Sequence, residues 1–260
     1  LNFFASVTIN EKVFKMTAKT VSYCREYLIN LSMGQFRPDN HVFFQNLKKM
    51  PKKIIESPPL LNSLYLNYQA AMHATRVMVY FLPGLNSPML RKKKLQIFID
   101  DDGLPGGDTH HYQLSRLFKN IGADDLLCDE DFGDLGCLKV LVAKKVACFI
   151  ETVERLYTKS TGAWCVSELF SENWLKAFCD SLSVHFSGVS KEPYFYDCFS
   201  EGVEERHGDE ALDITLELIR RENTLTSSIL AHADEMAQAF SLLWDGLDFC
   251  LSQSSQHLFV

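Results

Sequence analysis

Apolar residues recur along most of this chain at the three- and four-residue spacing of a helix face. The clearest stretch follows Gly133, where Leu138, Leu141, Val142, Val146, Phe149, Ile150, Val153, Leu156 and Tyr157 fall on one stripe. The spacing predicts one long amphipathic helix there. Ile229, Ala233, Met236, Phe240, Leu243 and Leu247 repeat the behaviour near the end, with Trp244 beside the same stripe. Weaker helical patterns run from Thr8 to Leu31 and from Asn40 to Ile55. Pro58-Pro59 then breaks the chain before an apolar segment, Leu60 to Leu82, that Pro83-Gly84 ends. Three more helices are expected: Asp108 to Ile121, closed by Gly122; Cys165 to Phe186; and Pro193 to Arg221, with Pro193 in the first turn.

No run alternates apolar and polar residues between hairpin turns, so the predicted class is all-α. No repeat of roughly 20 to 50 residues and no Pro/Gly/Ser-rich linker divides the chain. The expectation is one domain spanning residues 1–260, a bundle of seven or eight helices with its core over 60–250 and looser helices before residue 58.

Composition narrows the function classes. At 260 residues and 47% hydrophobic, the chain can bury a large core. A net charge of −7 argues against nucleic acid, whose binders depend on clustered cations. The short basic clusters Lys48, Lys49, Lys52, Lys53 and Arg91 to Lys94 read as solvated surface. Lys144 and Lys145 interrupt the best apolar run, so no membrane span is expected. No secretory signal is visible, and the eight cysteines form no C-x-x-C pair; both fit reduced core thiols in a cytoplasmic protein.

Three segments carry candidate chemistry. Glu204-x-x-His207 places a carboxylate and an imidazole on one helix face, where both can approach one ion; a solvated acidic face is the bland alternative. Asp100-Asp101-Asp102-Gly103 precedes Asp108, His110 and His111. Three successive aspartates repel one another and a cation would relieve them, although a solvated loop and an Asp108 helix cap also account for the segment. Glu168 lies amid Trp164, Val166, Leu169 and Phe170, and if buried it needs a partner.

Taken together these segments resemble a known family. Asp-Asp-Asp-Gly, then His-His-Tyr-Gln-Leu-Ser-Arg-Leu-Phe closing on Ile-Gly-Ala, is similar to the signature of the heme-oxygenase-like diiron oxidases and oxygenases. That superfamily also includes the chlamydial death-domain-associating protein, thiaminase-II-like proteins and the pyrroloquinoline quinone synthase. Gly162 to Leu169, Tyr194-Phe195 with Glu204 and His207, Ala211-Leu212 and Leu243-Trp244-Asp245-Gly246-Leu247 continue the match in order, over roughly residues 60–250.

The resemblance implies a heme-oxygenase-like bundle holding two irons. Asp101 takes the first carboxylate position, His110 or His111 the first imidazole, Glu168 the second carboxylate, and Glu204 and His207 the last carboxylate and imidazole. The remaining imidazole position is Ser200 here, a poor iron ligand, so one metal would lose an imidazole unless Glu201 or Asp197 swings in, or the protein holds one ion or none. Tyr68, His73, Trp164 and Tyr194 are expected to line the pocket. A carboxylate-rich shell suits iron or manganese. Haem is disfavoured, since no histidine precedes His41 to serve as its proximal ligand.

The implied activity is metal-dependent oxidation of a small organic substrate with O2. The rivals are a cofactor-independent acid/base enzyme of the quinone-synthase type and a degenerate, non-catalytic interaction bundle, with homodimerisation as one route to a partner. No cysteine occupies a setting that would activate it for thiaminase-type chemistry.

Overall fold

Pro58 and Pro59 open a helix rather than merely ending what comes before. Their missing N–H groups fall in the first turn, where no intrahelical acceptor is available anyway. In the computed structural model, which describes residues 18–85, 87–101, 108–124, 126–127, 134–199 and 202–256, no strand occurs among those residues and the protein is all-α.

The helices run in chain order as α1 (18–32), α2 (Val42–Lys49), α3 (Lys52–Ile55), α4 (Pro58–Val79), α5 (Pro88–Asp101) and α6 (His110–Asn120). They continue as α7 (Leu135–Leu141), α8 (Lys144–Tyr157), α9 (Thr161–Ser183), α10 (Pro193–Phe199), α11 (Val203–Arg221) and α12 (Thr226–Gln256). Helices α4, α8, α9 and α12 pack on one another as the centre of the bundle. α11 lies along α9, with α5 against α11 and α6 against α4. Their buried apolar side chains form one continuous cluster from Cys24 to Leu251. Stacked and tilted rings of Phe43, Phe44, Tyr68, Trp174, Phe240 and Trp244 fill its middle.

Several predicted helices are divided. The helix expected after Gly133 is two, α7 and α8, because the backbone turns out at Val142-Ala143, where the Asn67 side chain accepts the Ala143 N–H at 2.7 Å. Leu138 and Val146 keep the apolar stripe on both sides of the break, whereas Leu141 is 56% exposed. Pro51 separates α2 from α3 within the Asn40–Ile55 segment. The stretch from Pro193 to Arg221 is α10 and α11, and Glu204 and His207 belong to α11, which starts after Gly202 at φ +65°. The third long helix begins at Thr161, capped by Ser160 Oγ on the Gly162 N–H, and ends at Ser183. Of Thr8–Leu31, residues 8–17 lie outside the described residues.

Helix α5 has no apolar stripe to announce it: only Leu90, Lys94 and Ile97 are buried. It carries Asp100 and Asp101 in its last turn, so these aspartates are helical rather than a solvated loop. Lys94, expected on the surface, is buried with its Nζ on the Val79 carbonyl at the end of α4. Thr109, not Asp108, caps α6 by accepting the Tyr112 N–H, and Asp108 pairs with Arg116 instead. Cys24, Cys165, Cys179, Cys198 and Cys250 are buried free thiols, while Cys137 is exposed. Among the described residues no helix is long and apolar enough to cross a membrane.

Candidate functional site

Where α4, α5, α6, α9, α10 and α11 meet, they enclose a cavity of about 300 Å³, at the lower end of ligand-site volumes. Each helix contributes by its own periodicity. Met72 and Arg76 lie one turn apart on α4, Tyr194 and Cys198 one turn apart on α10, and both pairs reach the wall. Asp101 ends α5, His110 and His111 open α6, and Glu204 sits in the first turn of α11. Glu168, from the middle of α9, lies on the same wall.

The polar groups form a connected set. His110 Nδ1 lies 3.5 Å from Asp101 Oδ1, and His207 Nδ1 lies 3.9 Å from the same oxygen. His207 Nε2 contacts Asp100 Oδ2 at 3.1 Å, and Arg206 contacts that oxygen at 3.0 Å. On the other side of the imidazole, His110 Nε2 is 4.0 Å from Cys198 Sγ. His110, Cys198 and Glu204 each offer a ligand atom within 4.8 Å of the other two. Trp164 donates its indole N–H to Glu168 Oε1 at 2.7 Å.

Burial pushes the Glu168 carboxyl well up from its ordinary range. The negative charges of Asp101 and Glu204 add to this, while Trp164 and the Arg76 cation oppose it. Glu204 is likewise raised, by burial, against the hydrogen-bonding groups of Ser171 and Cys198. Burial, then Glu204 and Asp101, raises the Cys198 thiol. His110 and His111 are lowered to about 3 by burial and then by Arg76, so both imidazoles are neutral and can offer a lone pair. Burial also opposes ionisation of Asp100, but hydrogen bonds from His207, Arg206 and Gln96 outweigh it and hold that carboxyl below its ordinary value.

Of the residues expected in the site, Asp101, His110, His111, Glu168 and Glu204 share the cavity wall, with His73 and Tyr194. His207 is buried beside them but faces Asp100 and Asp101 instead of the cavity. Three expectations are corrected. Trp164 stands behind Glu168, not on the wall. Tyr68 lies behind Tyr194 and Trp174, its hydroxyl 2.9 Å from Tyr194 OH and accepting the Trp174 N–H at 3.1 Å. Asp197 faces α6, where Gln113 Nε2 donates to it at 2.7 Å, because one residue before Cys198 is the wrong position on the α10 face. Ser200 and Glu201 lie outside the described residues.

Sequence reasoning missed three participants: Cys198, Arg76 and Asp100. Cys198 has a signal, its four-residue spacing from Tyr194, which by itself fits a core thiol equally well. Arg76 had one too, as the cation on the face of an otherwise apolar helix that also holds Tyr68 and Met72. Asp100 lies in the acidic run Asp100–Asp102, but that it meets His207 Nε2 while Asp101 faces Nδ1 is decided by how α5 crosses α11.

Carboxyl groups, neutral imidazoles and a thiol around one cavity make a donor set that fits a divalent cation of hard to borderline character. No protein-family model matches the chain, and no curated protein matches it.

Proposed function

We propose that the chain is an iron- or manganese-dependent oxidase or oxygenase with a heme-oxygenase-like bundle, acting on a small organic molecule and O2 in the cavity. The observation that carries this reading is the convergence of carboxyl and imidazole groups from α5, α6, α9 and α11 on one internal space. Carboxyl groups that share one wall repel each other unless protons or a cation lie among them.

His110, Glu168 and Glu204 would hold metal, with His111 and Cys198 beside them, Asp101 behind His110 and His207 supporting Asp101. Bound there, iron or manganese would supply redox chemistry with O2. The protein's own part is positioning. Arg76 lies on the cavity wall and has no carboxylate within ion-pair distance among the described residues, so it is the group to hold an anionic end of the substrate. Val77, Val79 and Phe98 give the apolar body of that molecule a wall and exclude water.

Metal analysis of the chain purified without chelator tests the reading. One or more iron or manganese ions per chain, or uptake of anaerobically added Fe²⁺ that is lost in Glu204→Gln, is the expected result. No retained or acquired metal would overturn it and leave proton transfer by the cavity carboxyls as the chemistry to pursue.

A further inference from the structure

We infer that Cys198 is a metal donor, its sulfur forming with His110 Nε2 and the Glu204 carboxylate one buried sulfur–nitrogen–oxygen face for a borderline divalent ion. The inference rests on the metal-dependent reading above and specifies which atoms do the holding.

The three groups come from three helices, α6, α10 and α11, and each is nearly closed to solvent: Cys198 is 1% exposed, Glu204 6% and His110 7%. Their ligand atoms all lie within 4.8 Å of one another. On a tetrahedral ion, sulfur at about 2.3 Å and nitrogen at about 2.05 Å stand about 3.6 Å apart. The observed Cys198 Sγ to His110 Nε2 separation of 4.0 Å therefore needs to close by only a few tenths of an ångström.

The imidazole is also turned the right way. Its Nδ1 faces Asp101 Oδ1 at 3.5 Å, a placement that favours the tautomer with the proton on Nδ1 and the Nε2 lone pair toward Cys198 and Glu204. A carboxylate behind a ligating histidine fixes its tautomer and raises its basicity. Asp101 thus acts through His110, as a positioning residue for this face. A core cysteine kept only for packing has no need of an imidazole and a carboxyl aimed at its sulfur, and apolar neighbours would serve it better.

A metal ion displaces the thiol proton, so binding at this face releases a proton and replaces the Sγ–H bond by a metal–sulfur bond without any change of oxidation state. A sulfur donor shifts preference from Mn²⁺ toward Fe²⁺, Co²⁺ and Zn²⁺.

The test is anaerobic titration of the full chain with Co²⁺, followed by absorption. A thiolate-to-cobalt band in the near ultraviolet, saturating at one ion per chain, is expected in the unaltered protein and in Cys137→Ser, which removes the exposed thiol. Cys198→Ser should abolish the band and weaken Co²⁺ binding by about tenfold or more. Should that variant fail to fold, X-ray absorption of the zinc-loaded unaltered chain decides, with a sulfur neighbour at about 2.3 Å expected. Cobalt that binds without the band, or zinc with only nitrogen and oxygen neighbours, overturns the sulfur assignment and leaves the metal-dependent reading standing. A chain that takes up none of Co²⁺, Fe²⁺, Mn²⁺ or Zn²⁺ overturns both.

Discussion

Trp164 and Glu168 stand one turn apart on α9, and the indole N–H of the first donates to the carboxyl of the second at 2.7 Å. The bond holds Glu168 from behind while the carboxyl faces the cavity. If Glu168 is a ligand, Trp164 fixes its direction, and supporting partners of this kind typically affect metal affinity by about 10- to 100-fold. Trp164→Phe keeps an aromatic ring in the same place and deletes only the donor. We expect about a tenfold loss of Fe²⁺ or Co²⁺ affinity by calorimetry, with an unchanged helical circular-dichroism spectrum. Equal affinity in the two proteins would mean Glu168 does not touch the ion.

Arg76 gives a second prediction, about the organic partner. A guanidinium hydrogen-bonded to a carboxylate contributes about 1.5–3 kcal/mol, or roughly 10- to 100-fold in affinity. Benzoate should therefore bind measurably better than benzamide, read through the fluorescence of Trp174 on the cavity wall. Arg76→Met should erase that difference, and Arg76→Lys should restore part of it, since lysine keeps the charge but not the two-pronged geometry. Benzoate and benzamide binding alike to the unaltered protein would remove Arg76 from the substrate site.

The legible part of this molecule was what periodicity encodes. The stripes through Val146–Tyr157 and Ile229–Leu247 mark α8 and α12, because helices that bury one face must repeat apolar residues at that spacing. Asp101, His110, Glu168 and Glu204 stood out as residue types that need partners, and they do share one wall. The breaks were less visible. The split at Ala143 depends on the side chain of Asn67, 76 positions away, and nothing local to Val142 announces it. Helix α5 was invisible for the opposite reason: its buried face is only three residues, one of them a lysine. The places of Tyr68 and Trp164 were misjudged because being buried near a cavity and lining it differ by one layer of side chains, and that layer is set by tertiary packing.

Gly162 and Gly208 sit in helices α9 and α11, and the structure predicts opposite outcomes for the same substitution. In a helix interior alanine is favoured over glycine by about 1 kcal/mol. At Gly208 a new methyl would meet the Glu168 carbonyl oxygen at 3.5 Å, an ordinary contact. Gly208→Ala should thus be neutral or slightly stabilising. At Gly162 the methyl would overlap the Ile229 carbonyl of α12, which is backbone and cannot rotate aside. Gly162→Ala, in the first turn of α9, should destabilise by about 2 kcal/mol. Urea midpoints of the two variants measure this, and a Gly162→Ala midpoint equal to that of the unaltered chain would mean α12 does not cross α9 this closely.

Lys94 makes a pH-dependent prediction whose sign follows from its burial. It is 7% exposed, its ammonium lies on the Val79 carbonyl and 5.1 Å from the Phe98 ring centre, and desolvation lowers its pKa from 10.5 to about 8. Below about pH 8 the lysine is charged in both the folded and the unfolded chain, so the folded state carries the whole cost of burying the charge. Between about 8 and 10.5 the unfolded chain keeps the proton and the folded one gives it up, so stability rises with pH. Above 10.5 both forms are neutral and the gain is complete. Lys94→Met has no proton to lose, and subtracting its unfolding free energy from that of the unaltered protein cancels the other titrating groups. That difference should be flat from pH 6 to 8. It should then move in favour of the unaltered chain by the order of 2 kcal/mol between pH 8 and 10. A difference that stays flat throughout would show that the Val79 carbonyl, at the negative end of α4, holds the charge on Lys94 as firmly as water does.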